Sequence, residues 1–157
     1  MPPAPSTARL VVSIILRQGE KVLILHEPDD ESGMRFNLPG GHVEAGEGLL
    51  EAAVREAREE TGLEVVIERL VQLISNSWEN ASHSVRQTFL GRIQGGELKA
   101  EEGSEIVWMT EDEVKAAPNE KWIFGVKEAL ALAFEESYIP IKNVIYRNKG
   151  EVGKLMS

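Results

Sequence analysis

The sequence predicts one mixed α/β domain: strands first, a central helix, more strands and a closing helix. Three observations carry this. Two apolar runs flank a glycine turn near the start. A stretch bounded by glycines, Leu49 to Thr61, has helical periodicity. A second amphipathic stretch places Trp122, Val126, Leu130 and Phe134 at helical spacing.

Taken in order, "ARLVVSIILRQGEKVLILHEP" reads as a hairpin turned at Gly19. Both runs are rich in Val, Ile and Leu, so burial on both faces is expected. "DDESGM" reads as a polar loop, and "RFNLPGGHVEAGEG" as a short strand breaking into a Gly-rich loop. In the helix from Leu49 to Thr61, Gly48 stands at the N-cap, Glu51 at the third position, and Gly62 as the left-handed residue that ends it. "LEVVIERLVQLIS" and "HSVRQTFLGRI" are strands, "GRIQGGELKAEEGSE" a loop, "EIVWMT" a short strand, and "EDEVKAA" one or two helical turns. "KWIFGVKEALALAFEE" is the closing helix. The expected division is a flexible N-terminus over 1–8, a domain over 9–137 and a tail over 138–157. The tail carries Ile139, Ile141, Val144 and Ile145, and is expected either to dock on its own domain or to pair across a dimer.

Bulk properties narrow the function. The formal charge is −9, from 17 basic and 26 acidic side chains, which argues against a protein that grips nucleic acid through its phosphates. A small phosphorylated substrate stays open, because bound metal ions reverse the local field. With no cysteine, a disulfide scaffold and a thiolate metal site are both excluded. The longest apolar stretch, around "LVVSIIL", is too short to span a bilayer, and "MPPAPSTARL" lacks the pattern of a secretory signal. A cytoplasmic protein is expected, with no membrane partner.

The central helix is crowded with carboxylates. At 100° per residue, with Glu56 at zero, Glu59 lies at about −60° and Glu60 at about +40°, so the three share one face. Leu50, Ala53, Val54, Ala57 and Thr61 fall between about 60° and 160°, which predicts the core-facing stripe. Arg55 stands four residues before Glu59 and can hold it in one rotamer. Oxygen donors in this pattern suit a hard divalent cation such as Mg²⁺, and the Gly-rich loop in front brings backbone close, with Gly40 the natural carbonyl donor.

The stretch from Gly41 to Leu63 resembles the signature of the Nudix hydrolases, G-x5-E-x7-R-E-U-x-E-E-x-G-U with U aliphatic. Gly41, Glu47, Arg55, Glu56, Ala57, Glu59, Glu60, Gly62 and Leu63 match every specified position. The flanks are similar too: two strands before, "FNLPGG" leading in, and an acidic loop before a Trp-containing strand. Two positions depart softly. Ala57 stands where bulkier aliphatics are common, and Gly48 where Ser or Thr often caps the helix.

The resemblance implies an α/β/α sandwich around a mixed sheet, with the signature as loop–helix–loop. It implies metal-dependent hydrolysis (Mg²⁺ or Mn²⁺) of a pyrophosphate bond in a nucleoside di- or triphosphate derivative, as in MutT-like members. Carried over by position, Glu56, Glu59 and Glu60 bind the metals, Gly40 offers its carbonyl, Arg55 orients a glutamate, and Glu47 is a supporting carboxylate. Glu56 is the first candidate for the general base. The second is an acid in the loop before "IVWM", where Glu105 competes with Glu101 and Glu102. Family members are often homodimers.

For the substrate, Gly41 lets backbone approach phosphate. Phe36 and Trp78 are the stacking candidates, with core packing the competing reading of Phe36. Arg35 is the candidate phosphate contact, alongside Arg9 and Arg86. His42 reads as an exposed loop residue, His26 and His83 as strand-end residues, Trp108 as structural and Trp122 as core. "ISNSWEN" lacks the proline that ADP-ribose enzymes of the family often carry there. The chain also lacks an "SQPWPFPxS" array. Nucleotides therefore rank first, non-nucleotide pyrophosphates second, and dinucleoside polyphosphates or ADP-ribose third. A nucleotide-binding sensor without turnover is the reading from another class.

Overall fold

A computed structural model describes residues 7–30, 33–77, 83–139, 146–148 and 151–153. Residues 1–6, most of the expected flexible N-terminus, lie outside this set, as do Trp78 and most of the tail. The strands are β1 (Arg9–Gln18), β2 (Lys21–Asp29), β3 (Gly33–Asn37), β4 (Gly40–His42), β5 (Leu63–Ser77), β6 (His83–Gly96) and β7 (Glu105–Met109). The helices are α1 (Leu49–Thr61), α2 (Glu111–Ala116) and α3 (Val126–Phe134), with a 3₁₀ turn at Asn119–Lys121. A separate pair, β8 (Tyr146–Asn148) and β9 (Glu151–Gly153), follows.

The main sheet is mixed. Its order is β3-β2-β1-β6-β5, with β1 and β6 parallel and the other pairs antiparallel. Gly19, at φ +60°, makes the hairpin turn as expected. Beyond that turn β1 and β2 stay paired only at Arg17↔Val22 and Gln18↔Lys21, and then they part. Past the fork, β1 takes β4 at its edge (Val11↔His42 to Ser13↔Gly40), while β2 takes β3 on one side and β7 on the other. The segment from Asn37 to Gly40 therefore crosses from one arm of the fork to the other.

Alternation along the central strands builds two cores. Ile14, Leu16, Leu23, Leu25 and Phe89 face α1 and its Ala52, Ala53 and Ala57. Ile15, Val22 and Ile24 point the other way, toward Val114 of α2 and Val126, Leu130 and Ala133 of α3. Both faces of β1 and β2 are covered, which explains their unbroken apolar runs. The result is the expected helix–sheet–helix sandwich.

Three local expectations change. The glycines at 40 and 41 form a strand, where the sequence suggested only a loop. Gly40 fits there because a Cβ would lie 2.2 Å from the Val12 carbonyl oxygen. β6 runs on through Gly95 and Gly96, so the following loop begins later than the glycines suggest. The closing helix starts at Val126, because Gly125 takes φ +82° and breaks the helical path. Trp122 precedes it and bridges to Phe36, yet is buried in the same core, so the helical spacing extended past the true start. Ile139, at the head of the tail, bonds its N–H to the Leu70 carbonyl at 3.0 Å and docks on its own domain.

Candidate active site

The site is assembled by α1 and the strand that precedes it. Gly48 stands at the N-cap in an extended conformation, and its N–H donates to Glu51 Oε2 at 3.0 Å. Gly62 ends the helix at φ +72° and passes directly into β5. The buried helix residues are Ala52, Ala53, Ala57 and Thr61, while Val54 is exposed. Ala53, Ala57 and Thr61 are buried as expected, while Ala52, at about −40° on the same scale, joins them and Val54 leaves, so the core face shifts toward the carboxylates. Glu56 and Glu60 lean against β4, while Glu59 looks out to water. Glu56 keeps 13% of its side chain exposed, against 56% for Glu59.

β4 makes this closeness sterically achievable. A Cβ on Gly41 would meet the Glu56 carboxylate, so glycine lets that carboxylate stand where it does. One residue earlier, the Gly40 N–H donates to Glu60 Oε2 at 2.7 Å.

Arg55 is the hub of one half of the site. Its Nε donates to Glu47 Oε1 at 2.7 Å and its Nη2 to Glu47 Oε2 at 3.0 Å, a bidentate pair. Its Nη1 donates to Glu56 Oε1 at 2.8 Å and to Glu59 Oε2 at 3.0 Å, and Nη2 also reaches the His42 carbonyl at 3.1 Å. The hydrogen bonds from Arg55 hold the Glu47 carboxyl below the usual carboxylate range. The same bonds, with Glu47 foremost, raise the guanidinium further above its already high value.

Glu60 occupies the other half and behaves oppositely. Burial pushes its carboxyl up to about 8, and the charges of Glu56, Glu27 and Glu101 add to this, against the opposing bond from Gly40. Glu101 belongs to the loop after β6 and bonds its N–H to the Glu60 carbonyl at 3.3 Å.

Glu105 is placed elsewhere. It opens β7 opposite His26, contacts His26 Nδ1 at 3.5 Å and leaves 74% of its side chain exposed. Glu27 was missed by the sequence reading. Its Oε1 accepts from Asn37 Nδ2 at 2.7 Å. The available signal was an acid inside the apolar run of β2, joined across a hairpin to an asparagine just before the glycines.

Arg35, Phe36 and Arg86 lie on the α3 side. Arg35 pairs its Nε with Asp29 at 3.0 Å. The Phe36 ring lies between His26 and Trp122, with centroids at 4.9 and 5.0 Å. Arg35, Asn119, Trp122, Phe124 and Lys127 border a cleft of about 640 Å³. Arg86 donates to the Phe124 carbonyl at 2.9 Å, and burial pulls its guanidinium down.

Among the described residues, no three His, Asp or Glu side chains converge closely enough to grip a metal ion as they stand. Arg55 draws three carboxylates to its own side, while Glu60 faces Gly40. The donor set nevertheless fits a hard divalent cation in kind: carboxylate oxygens beside a glycine backbone, one of them buried among like charges.

A NUDIX domain model matches residues 7–130. The chain belongs to the Nudix family. The ADP-ribose pyrophosphatase of Methanocaldococcus jannaschii is 36% identical over 92 residues, covering 58% of this chain and 54% of that protein. The 8-oxo-dGDP phosphatase NUDT18 of Homo sapiens is 36% identical over 105 residues, covering 62% of this chain and 31% of that protein. This chain thus spans about half, or less, of these Nudix relatives. The solved structure of a NUDIX hydrolase from Nitrosomonas europaea shares the fold, with a TM-score of 0.78 at 24% identity over 91% of this chain and 99% of that one.

Proposed function

We propose that this chain is a divalent-cation-dependent Nudix pyrophosphohydrolase acting on a nucleoside di- or triphosphate derivative. The observation that carries the reading is the complete signature folded into one place, with Glu47, Glu56 and Glu59 on Arg55 and Glu60 on Gly40. The names of the relatives, which act on ADP-ribose and on 8-oxo-dGDP, support a nucleotide over a non-nucleotide pyrophosphate. Residues 9–137 are taken as the catalytic unit, and the family match over 7–130 supports that boundary.

In this reading Glu56, Glu59, Glu60 and the Gly40 carbonyl hold the cation, Mg²⁺ or Mn²⁺, and Glu47 anchors Arg55. The cation supplies charge neutralisation of the phosphate oxygens and acidification of the attacking water. Arg55 fixes the rotamers of Glu56 and Glu59 through one guanidinium, which sets the spacing between them. Glu56 takes the proton from water as that water attacks phosphorus in line with the leaving phosphate. Glu101 is the better placed of the outside acids, because its loop is bonded to the end of α1, whereas Glu105 is turned to His26 and solvent. Gly41 gives the phosphates close backbone approach, and Arg35 and Phe36 border the nucleoside end.

No helix among the described residues is long and apolar enough to cross a membrane. A cytoplasmic homodimer remains part of the proposal on family resemblance, and sedimentation tests the dimer. The activity test is incubation with Mg²⁺ and a panel of nucleoside triphosphates, nucleotide sugars, ADP-ribose and prenyl diphosphates, reading phosphate and pyrophosphate release beside an EDTA control. Metal-dependent release from a nucleotide is expected. Nucleotide binding with no release across the panel overturns the hydrolase in favour of a sensor.

A further inference from the structure

Phe124 is the most exposed large apolar side chain among the described residues, at 70%. A single apolar residue at a surface is ordinary. Here, however, the residues around it are all held. Trp122 and Val126 are buried, and Ile123 packs against the same core. The Ile123 N–H donates to the Phe36 carbonyl at 3.0 Å, which ties the segment to β3. The Phe124 carbonyl accepts from Arg86 Nη1 at 2.9 Å, which ties it to β6. Gly125, at φ +82°, then turns the chain into α3. The backbone is fixed to three elements while the ring it carries stands in water.

The ring stands at the edge of a space large enough for a ligand. Phe124 borders the cleft of about 640 Å³ together with Arg35, Asn119, Trp122, Lys127 and Glu128. Small molecules and cofactors bind in clefts of roughly 300–1,000 Å³. An aromatic face among charged and amide groups suits a flat ring with polar edges, as a nucleobase has. An alkyl or prenyl chain would call for apolar walls throughout. The neighbouring aromatic rings are already packed. Phe36 lies against His26 and Trp122, with centroids at 4.9 and 5.0 Å, and Trp122 is only 7% exposed. Phe124 is the cleft aromatic whose ring stays accessible. The cleft also connects to the catalytic end. β3 carries Arg35 on the cleft border, and the chain from Arg35 to Gly40 spans at most about 17 Å when extended. One extended nucleotide derivative can touch both.

We infer that Phe124 is a substrate-binding residue, and that its ring stacks on the nucleobase of a substrate held in this cleft. This rests on the proposed nucleotide reading and adds a residue that lies outside the signature.

The test is equilibrium binding to the full chain with Mg²⁺, measured by calorimetry for two kinds of probe. The first is the α,β-methylene diphosphate of adenosine and of guanosine, whose bridge between the phosphorus atoms resists hydrolysis. The second is methylenediphosphonate, the same group without a nucleoside. Wild-type protein should bind the nucleoside probes more tightly. Phe124→Ala should weaken them about tenfold, the scale of one base on one aromatic ring, and leave methylenediphosphonate and the melting temperature unchanged. Phe124→Trp should keep wild-type affinity, and Phe124→Leu, apolar but not flat, should behave as Phe124→Ala does. Wild-type affinity for the nucleoside probes in Phe124→Ala overturns the role of Phe124 and leaves the nucleotide reading standing. Equal weakening of both kinds of probe also overturns the stacking, since methylenediphosphonate has no base to stack. No preference for the nucleoside probes in the wild type overturns the nucleotide reading, and the inference with it. If Phe124→Ala melts early, Phe124→Leu replaces it with the same expected split between the probes.

Discussion

Glu59 and Glu60 are neighbours on one helix, and they are treated in opposite ways. Glu47, Glu56 and Glu59 share the guanidinium of Arg55, and the carboxyl of Glu47 is pulled below its ordinary range. Glu60 has one backbone N–H for company, and burial, with the charges of Glu56, Glu27 and Glu101 adding to it, pushes its carboxyl up to about 8. Sequence spacing made these residues look equivalent. The difference is set by what each meets across the helix: a cation on one side, and buried like charge on the other. One half of the site is partly balanced, with one guanidinium among three carboxylates. The other is left in electrostatic debt that a bound cation can settle.

The comparison can be broken at its centre. Glu56 touches both halves, so Glu56→Gln should fold with a native melting curve yet lose about 10²–10⁴ of Mg²⁺-dependent turnover, as expected for removal of a general base. Steady-state rates on the substrate found by the panel decide this, and a near wild-type rate removes Glu56 from its role. Next in size, Arg55→Gln strips the balanced half of its cation. The partly buried carboxylates of Glu47 and Glu56 then repel each other and the exposed Glu59, with an expected cost of about 2–3 kcal/mol in urea unfolding. Arg55→Lys should recover only part of this, because an ammonium cannot reproduce the bidentate grip on Glu47.

The unbalanced half should answer to pH. A carboxyl whose pKa is raised by folding binds its proton more tightly in the folded state. The metal-free fold therefore loses stability as pH rises from about 4.5 to about 8. Glu60→Gln should flatten that slope and stabilise the EDTA-treated protein at pH 8 by about 1–2 kcal/mol, after allowance for solvent screening. Wild-type protein given Mg²⁺ should recover the same stability, so thermal melts at several pH values, with and without metal, separate the effects. The smallest effect is expected at Glu105, outside both halves. Glu105→Gln should change turnover by less than about threefold, whereas Glu101→Gln should cost about tenfold or more. The reverse ranking would make the acid opposite His26 the working one.

Much of this was legible in the sequence because its signals are local. The glycines at 48 and 62 mark the ends of α1, and each acts through its own backbone. The run of Val, Ile and Leu in β1 and β2 reports burial on both faces directly. What stayed hidden depends on contacts across the fold. Two glycines and a histidine do not announce a strand, because β4 exists only by pairing with β1. The place of the Glu56 carboxylate against Gly41 is likewise a contact between elements, which periodicity cannot report. Glu27 was invisible for the same reason: its partner Asn37 lies ten positions away across a hairpin. Trp122 misled in the opposite direction, since a residue packed into a helix's core can keep the helix's spacing without belonging to it.

The parallel pairing of β1 with β6 has a consequence for the order of assembly. It joins Arg9 to Ser84 and so closes one of the longest loops in the chain, a step that is entropically slow. β4 takes its place on β1, and Gly40 must be in place before it can meet Glu60. The contacts that bring Gly40 to Glu60 all lie between residues 9 and 60, so the acidic helix and its glycine partner can meet without β6. The loop that carries Glu101, bonded to the end of α1, reaches them only with the second half of the chain. The last acid to arrive is thus one that the signature does not contain.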